Sequence, residues 1–159
     1  DVFAAEGISL TASIDNGALF LSVAAPPIGA LRVLAIDDNP DMVRFYRSAT
    51  LGTRYQIVEP SGEHSLGEFI RRDRPDAIIL DIMLPDQDGW RLLMSLHEDL
   101  STRAVPVIVC TVVREPSLAL SLGAAAYLAK PVDPTLLVET LDRVTSGRPC
   151  NTDLLRRTC

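Results

Sequence analysis

The residues of this chain that could do chemistry each follow a short apolar run. Asp37 and Asp38 come after Leu31–Ile36, Asp81 after Ala77–Leu80, Thr111 after Val105–Cys110, and Lys130 after Ala125–Ala129. Lys130 is the only lysine, and the other fourteen basic residues are arginine. Arginine is a planar fork, whereas lysine is a compact point charge on a flexible stem. One retained ammonium suggests a site that needs a small cation reaching a single oxygen. The acids pose the opposite problem. Two unit charges about 4 Å apart interact by roughly 4 kcal/mol at an effective dielectric near 20. If the three carboxylates share a crevice, either one is protonated or a cation sits among them. Mg²⁺ suits a few carboxylates completed by waters and a phosphate. Such a site would hold a carboxylate and a phosphoryl group together. An Asp can then act as nucleophile and form an aspartyl phosphate, while metal and lysine neutralise the phosphoryl oxygens.

These residues must be positioned by the elements around them. The five apolar runs (the second is Tyr55–Val58) read as strands buried on both faces, as in a parallel sheet. Stretches with helical spacing lie between them and imply βαβ units. Asn39-Pro40 and Asp133-Pro134 each place a capping side chain before a proline at the first helical position. Met42, Val43, Tyr46 and Ala49 share one helix face, as do Leu137, Leu141 and Val144. Ser61 can cap a helix carrying Leu66, Phe69 and Ile70, and Asp88-Gly89 precedes one carrying Trp90, Leu93 and Leu96. Gly123 is placed to end the fourth helix. The expectation is an α/β, doubly wound, five-stranded parallel sheet with five helices, over residues 31–146. Right-handed crossovers put helices on both faces. The site of an open sheet of this kind lies at the carboxyl ends of its strands, which is where every candidate residue falls.

Residues 1–30 break the pattern. Ile8, Leu10, Ala12 and Ile14 alternate, Asp15-Asn16-Gly17 is a turn signal, and Leu19–Val23 returns. This reads as an N-terminal β-hairpin extension followed by a stiff linker, Ala24-Ala-Pro-Pro27. A two-stranded hairpin is marginal alone, so it should pack on the domain or on a partner. Residues 147–159 read as a polar tail.

Composition narrows the function. The net charge of −6 shows no basic stripe for direct nucleic-acid binding. No apolar run approaches the roughly 20 residues of a membrane span. Three cysteines (Cys110, Cys150, Cys159) form no metal-ligand spacing and fit a reducing cytoplasm. Cys110, inside an apolar run, reads as a small core residue. The absence of an initial methionine suggests a processed product or a piece of something longer.

At this point the chain resembles a response-regulator receiver domain, from about Leu31 to Val144. The carrying motifs are Val33-Leu-Ala-Ile-Asp-Asp-Asn-Pro40, Asp81-Ile-Met-Leu-Pro-Asp-Gln-Asp-Gly89, Pro106-Val-Ile-Val-Cys-Thr111 and Lys130-Pro131. The resemblance implies the flavodoxin-like strand order 2-1-3-4-5 and a set of roles. Asp81 would accept the phosphoryl group. Asp38 would bind Mg²⁺ directly, Asp37 through water, and the backbone carbonyl of Met83 would be a further ligand. Lys130 would contact a phosphoryl oxygen. Thr111 would turn toward that oxygen, and Tyr127 would follow as the switch aromatic, altering the surface of the fourth helix, fifth strand and fifth helix. The implied partners are a histidine kinase or histidine phosphotransfer protein and a downstream protein, with a homodimer left open. Through Gly7-Ile-Ser-Leu-Thr11 and Asp15-Asn-Gly-Ala-Leu-Phe20 the hairpin resembles the closing hairpin of a histidine-kinase ATPase domain, which would make the chain the C-terminal receiver of a hybrid kinase or of a decayed relative; an unrelated extension is the plain alternative.

Other readings stand beside these. Tyr127 could be an ordinary core tyrosine. Asp86 and Asp88 read as turn and helix start. His64 and His97 read as solvated surface. Two rivals differ in class: a Mg²⁺-dependent phosphohydrolase with an aspartyl nucleophile, and a docking domain with a vestigial pocket. The first generally needs a second acid two residues after the nucleophile, where this chain has Met83. The second sits poorly with retention of Asp37, Asp38, Asp81, Thr111 and Lys130. Met83 and Val113 offer no hydrogen bond to a hydrolytic water, so a phosphoryl group should last hours rather than seconds. Val112 stands where the family usually has a small residue, and its branched side chain would narrow access to Asp81.

Overall fold

The computed structural model describes residues 9–15, 18–24, 29–60 and 66–146. The expected Ser61 cap, the centre of the Asp15-Asn16-Gly17 turn, the proline linker, His64 and the polar tail lie outside the described residues.

Strands β1 (Ser9–Asp15) and β2 (Ala18–Ala24) pair antiparallel, from Ser9 opposite Ala24 to Asp15 opposite Ala18. They form a two-stranded sheet of their own, as the alternating pattern predicts. The remaining strands are β3 (Leu31–Ile36), β4 (Tyr55–Val58), β5 (Ala77–Leu80), β6 (Val107–Thr111) and β7 (Ala126–Ala129). All pair in parallel, in the order β4-β3-β5-β6-β7. Counted within this sheet, the order is 2-1-3-4-5. The helices are α1 (Pro40–Ala49), α2 (Leu66–Asp73), α3 (Gly89–Glu98), α4 (Pro116–Ser121) and α5 (Pro134–Val144).

Strand alternation sorts the sheet's side chains between two core layers. Leu31, Val33 and Ala35 of β3 join Ala77, Ile79, Ile108, Cys110, Ala126 and Leu128 on one face. Val43 and Tyr46 of α1 and Leu137 and Leu141 of α5 cover that face. Leu34, Ile36, Ile78, Leu80, Val107 and Val109 form the other layer, under Phe69, Ile70, Leu93, Leu96 and Ala119 of the remaining helices. The side chains of β5 and β6 are all buried, which is why these strands read as unbroken apolar runs rather than alternating ones.

The caps match expectation. Asn39 accepts from the Asp41 N–H, and Asp88 and Asp133 each accept from two N–H groups of the helix they open. Gly123, at φ 99°, donates to the Leu120 carbonyl while Ala124 donates to Ala119. These paired bonds form a Schellman closure, for which a residue without Cβ is favoured.

Two strands of the parallel sheet differ in their bounds from the sequence expectation. The fourth strand of the parallel sheet starts at Val107 rather than Val105 and runs through Thr111. Pro106 has no N–H to donate, and the Val105 N–H is spent in a turn on the Thr102 carbonyl. The last strand starts at Ala126 rather than Ala125.

Candidate functional site at the carboxyl edge of the sheet

The register of the parallel sheet assembles the site. Ile36 lies opposite Leu80, so Asp37 and Asp81 leave neighbouring strands side by side. The Asp81 N–H donates to the Ile36 carbonyl, 2.9 Å away. Thr111 lies opposite Ala129, so Lys130 follows one residue beyond, its N–H bonded to the Thr111 carbonyl. Five residues spread over 94 positions of sequence thereby meet along one edge.

The acids converge. Carboxylate oxygens of Asp37, Asp38 and Asp81 all lie within 4.8 Å of one another. Lys130 bridges two of them: Nζ donates to Asp37 Oδ2 at 2.8 Å and to Asp81 Oδ2 at 2.6 Å. The side chains involved are almost sealed, with Lys130 11%, Asp37 0% and Asp81 8% exposed, so water screens these pairs little. Asp38 faces solvent. Three carboxylates against one ammonium leave a formal excess of two negative charges. Oxygen donors of this kind suit a hard divalent cation, and Asp37, Asp38 and Asp81 are the residues that could hold one.

Electrostatics keep the nucleophile candidate ionised. Burial pushes the Asp81 carboxyl up. The Lys130 hydrogen bond, the Met83 N–H on Oδ1 at 2.9 Å and the Thr111 hydroxyl outweigh it and hold Asp81 below the usual carboxylate value. Burial by itself would lower Lys130, but its bonds to Asp37 and Asp81 raise it instead. The Lys130 ammonium and the Asp81 carboxylate therefore hold each other charged.

Thr111 is fully buried. Its Oγ1 accepts a long hydrogen bond, 3.4 Å, from the Val113 N–H. Tyr127 is half-buried, and its hydroxyl donates to the Val113 carbonyl at 2.7 Å. The two switch candidates thus touch opposite sides of one residue in the loop after β6. Met83 and Val112 are exposed. Asp88 caps α3, and His97 is exposed on the last turn of the same helix, as their plain readings predict. Gly89 lets α3 start against the loop after β5: a Cβ there would lie 2.5 Å from the Ile82 backbone.

Sequence reasoning missed one contributor. Helical spacing marks Tyr46 only as an apolar helix-face residue. It is fully buried, and its hydroxyl lies 2.9 Å from Asp37 Oδ2 and 3.2 Å from Cys110 Sγ. Burial pushes both the Tyr46 phenol and the Cys110 thiol up, keeping them neutral. The available signal was the phenol itself, since a tyrosine on an inward face needs a partner for its O–H.

Comparison with known proteins agrees with this geometry. A family model described as the response regulator receiver domain matches residues 33–142. PilH of Pseudomonas aeruginosa is 28% identical over 119 residues, covering 73% of this chain and 98% of PilH. The response regulator PleD of Caulobacter vibrioides is 29% identical over 117 residues, covering 72% of this chain. The chain spans only 26% of PleD. Among solved structures, the receiver domain of the sensor histidine kinase PA1611 from Pseudomonas aeruginosa, with a magnesium ion in its active-site cleft, superposes with a TM-score of 0.62. It is 25% identical, and the match covers 73% of this chain and 98% of that one.

Proposed function

The chain belongs to the response regulator receiver family of two-component signalling, and on that premise we propose that Asp81 is its phosphoacceptor. An Asp81 oxygen attacks the phosphorus of a phosphohistidine, the P–N bond breaks, and the imidazole leaves with its electron pair. The bond to Lys130 carries this reading. Among the described residues, the ammonium that neutralises Asp81 is also tied to Asp37, so it stays at the site when a phosphoryl group arrives. It then stabilises the charge on the phosphoryl oxygens.

Asp38 and Asp81, with the Met83 carbonyl and with Asp37 through water, would hold Mg²⁺. When bound, the ion supplies charge neutralisation for the incoming phosphoryl group. Thr111 and Tyr127 transmit the change. A phosphoryl oxygen that accepts from the Thr111 hydroxyl pulls Oγ1 away from the Val113 N–H that it accepts from. The Val113 carbonyl on the other side holds Tyr127. Releasing that residue shifts the population of Tyr127 positions, and with it the surface of α4, β7 and α5.

The module phosphorylates itself and loses the group slowly, so it is not a turnover enzyme. Its donor is a histidine kinase or histidine phosphotransfer protein and its output is a docked protein, with homodimerisation as one form of that output. No helix among the described residues is long and apolar enough to cross a membrane, which fits work in the cytoplasm. Residues 31–146 are the functional unit, with 1–30 and 147–159 as appendages. A phosphohydrolase reading lacks its second acid, because Met83 stands in that position.

Incubation with acetyl phosphate and Mg²⁺, read by intact mass, tests the proposal. Wild type should gain one phosphoryl mass and Asp81→Asn none. Equal labelling of both proteins, or none of wild type, would overturn it. Turnover of a phosphate ester far beyond stoichiometry would favour the hydrolase.

A further inference from the structure

We propose that Tyr46 is a positioning residue of the acidic site, fixing the Asp37 carboxylate through a buried hydrogen bond. The proposal rests on the metal-binding reading above and names a residue that reading does not use.

Each oxygen of a carboxylate offers two lone pairs, and a phenol has one proton to donate. Tyr46 lies between a carboxylate and a thiol. A bond to an ionised acceptor is roughly twice as strong as a neutral one, so its proton goes to Asp37. The Cys110 S–H is then the donor left for the Tyr46 oxygen. A directed chain results: Cys110 to Tyr46, Tyr46 to Asp37, with Lys130 donating to the same Asp37 oxygen.

The accounting at Asp37 gives the chain a consequence. Oδ2 takes Tyr46 at 2.9 Å and Lys130 at 2.8 Å, which fills its two lone pairs. Oδ1 accepts the Asn39 N–H at 3.0 Å and keeps one lone pair. Asp37 therefore meets a hydrated cation through Oδ1, and the orientation of the carboxylate decides whether Oδ1 faces it. Three donors hold that orientation: Tyr46 on α1, Asn39 just before that helix and Lys130 just after β7. Without the Tyr46 hydroxyl, Oδ2 has one donor fewer inside a sealed site. The carboxylate can then turn on its remaining two bonds, and the lysine it shares with Asp81 moves with it. A tyrosine present only to fill the core would leave cation binding alone.

The test uses the full chain. Mg²⁺ affinity is measured by isothermal titration calorimetry for wild type, Tyr46→Phe and Cys110→Ala. Tyr46→Phe keeps the ring in its layer and removes only the oxygen. It should bind Mg²⁺ about tenfold more weakly, the lower end for losing an outer partner of a metal site. Cys110→Ala leaves the Tyr46–Asp37 bond in place and should stay within about twofold of wild type, far less than one lost charge-assisted hydrogen bond would cause. If Tyr46→Phe does not fold, the ¹³Cζ resonance of Tyr46 in wild type takes its place, assigned by elimination with Tyr55→Phe and Tyr127→Phe. It should move when Mg²⁺ is added. An unchanged affinity in Tyr46→Phe, or a still resonance, overturns the role of Tyr46 alone. If wild type binds no Mg²⁺, the metal-binding reading fails as well.

Discussion

Lys130→Met removes the ammonium while keeping much of the stem, and the structure sets the cost. Nζ is 2.8 Å from Asp37 and 2.6 Å from Asp81, in a site where no participating side chain is more than 11% exposed. At an effective dielectric of 20 each contact is worth about 6 kcal/mol gross. Most of that is offset by the cost of burying the charges. What remains when one partner is removed is the penalty of the stranded carboxylates, about 3–5 kcal/mol. Their carboxylate oxygens lie within 4.8 Å of one another, so their mutual repulsion is at least about 3.5 kcal/mol at the same dielectric, which falls in that range. For a domain of this size each kcal/mol is worth about 4 °C. Urea and thermal unfolding in EDTA at neutral pH should therefore show a loss of about 3 kcal/mol and about 12 °C. Adding Asp37→Asn to the variant removes one stranded charge and should recover about half of the loss. A loss below about 1 kcal/mol, or no recovery in the double variant, would mean that the ammonium is not what holds these acids together.

Phosphorylated wild type in Mg²⁺ buffer should keep its label for hours, followed by intact mass; a lifetime under about a minute refutes the idea that Met83 and Val113 leave hydrolytic water unguided. Met83→Asn supplies one such hydrogen bond and should shorten the lifetime by up to about tenfold, the yield of about 1.4 kcal/mol. Helix propensity favours alanine over glycine by about 1 kcal/mol, yet Gly89→Ala should lose about 1–3 kcal/mol in urea unfolding because its Cβ meets the Ile82 backbone; a gain in stability would show that the α3 start has room. The folded Asp81 carboxyl lies below its ordinary value, so its contribution to stability is fully present above about pH 4 and is lost as pH falls through the folded value. Asp81→Asn should accordingly flatten the acid limb of Mg²⁺-free stability below about pH 4, and equal slopes in the two proteins would refute the shift.

Much of the fold was legible because its signals are local. Fully buried strands of a parallel sheet carry unbroken apolar runs, and three helices announce themselves by an Asx cap at Asn39, Asp88 and Asp133. The β6 start is not legible because Val105 and Pro106 are as apolar as the strand, yet the Val105 N–H bonds back to Thr102 and Pro106, which accepts from Ile78 of β5, has no N–H of its own to donate.

The sequence by itself determined the donor set: three aspartates and a single lysine, each just past a strand, with a threonine beside them. It did so because parallel strands all end on one edge, so position along the chain becomes position in space. Only the tertiary structure decided which oxygen meets which donor. Lys130 spans Asp37 and Asp81, and the phenol of Tyr46 joins Asp37 from a helix face that periodicity marks only as apolar. Hydrophobic spacing records which way a side chain points, whereas a hydrogen bond depends on the last ångström of packing between elements far apart in sequence.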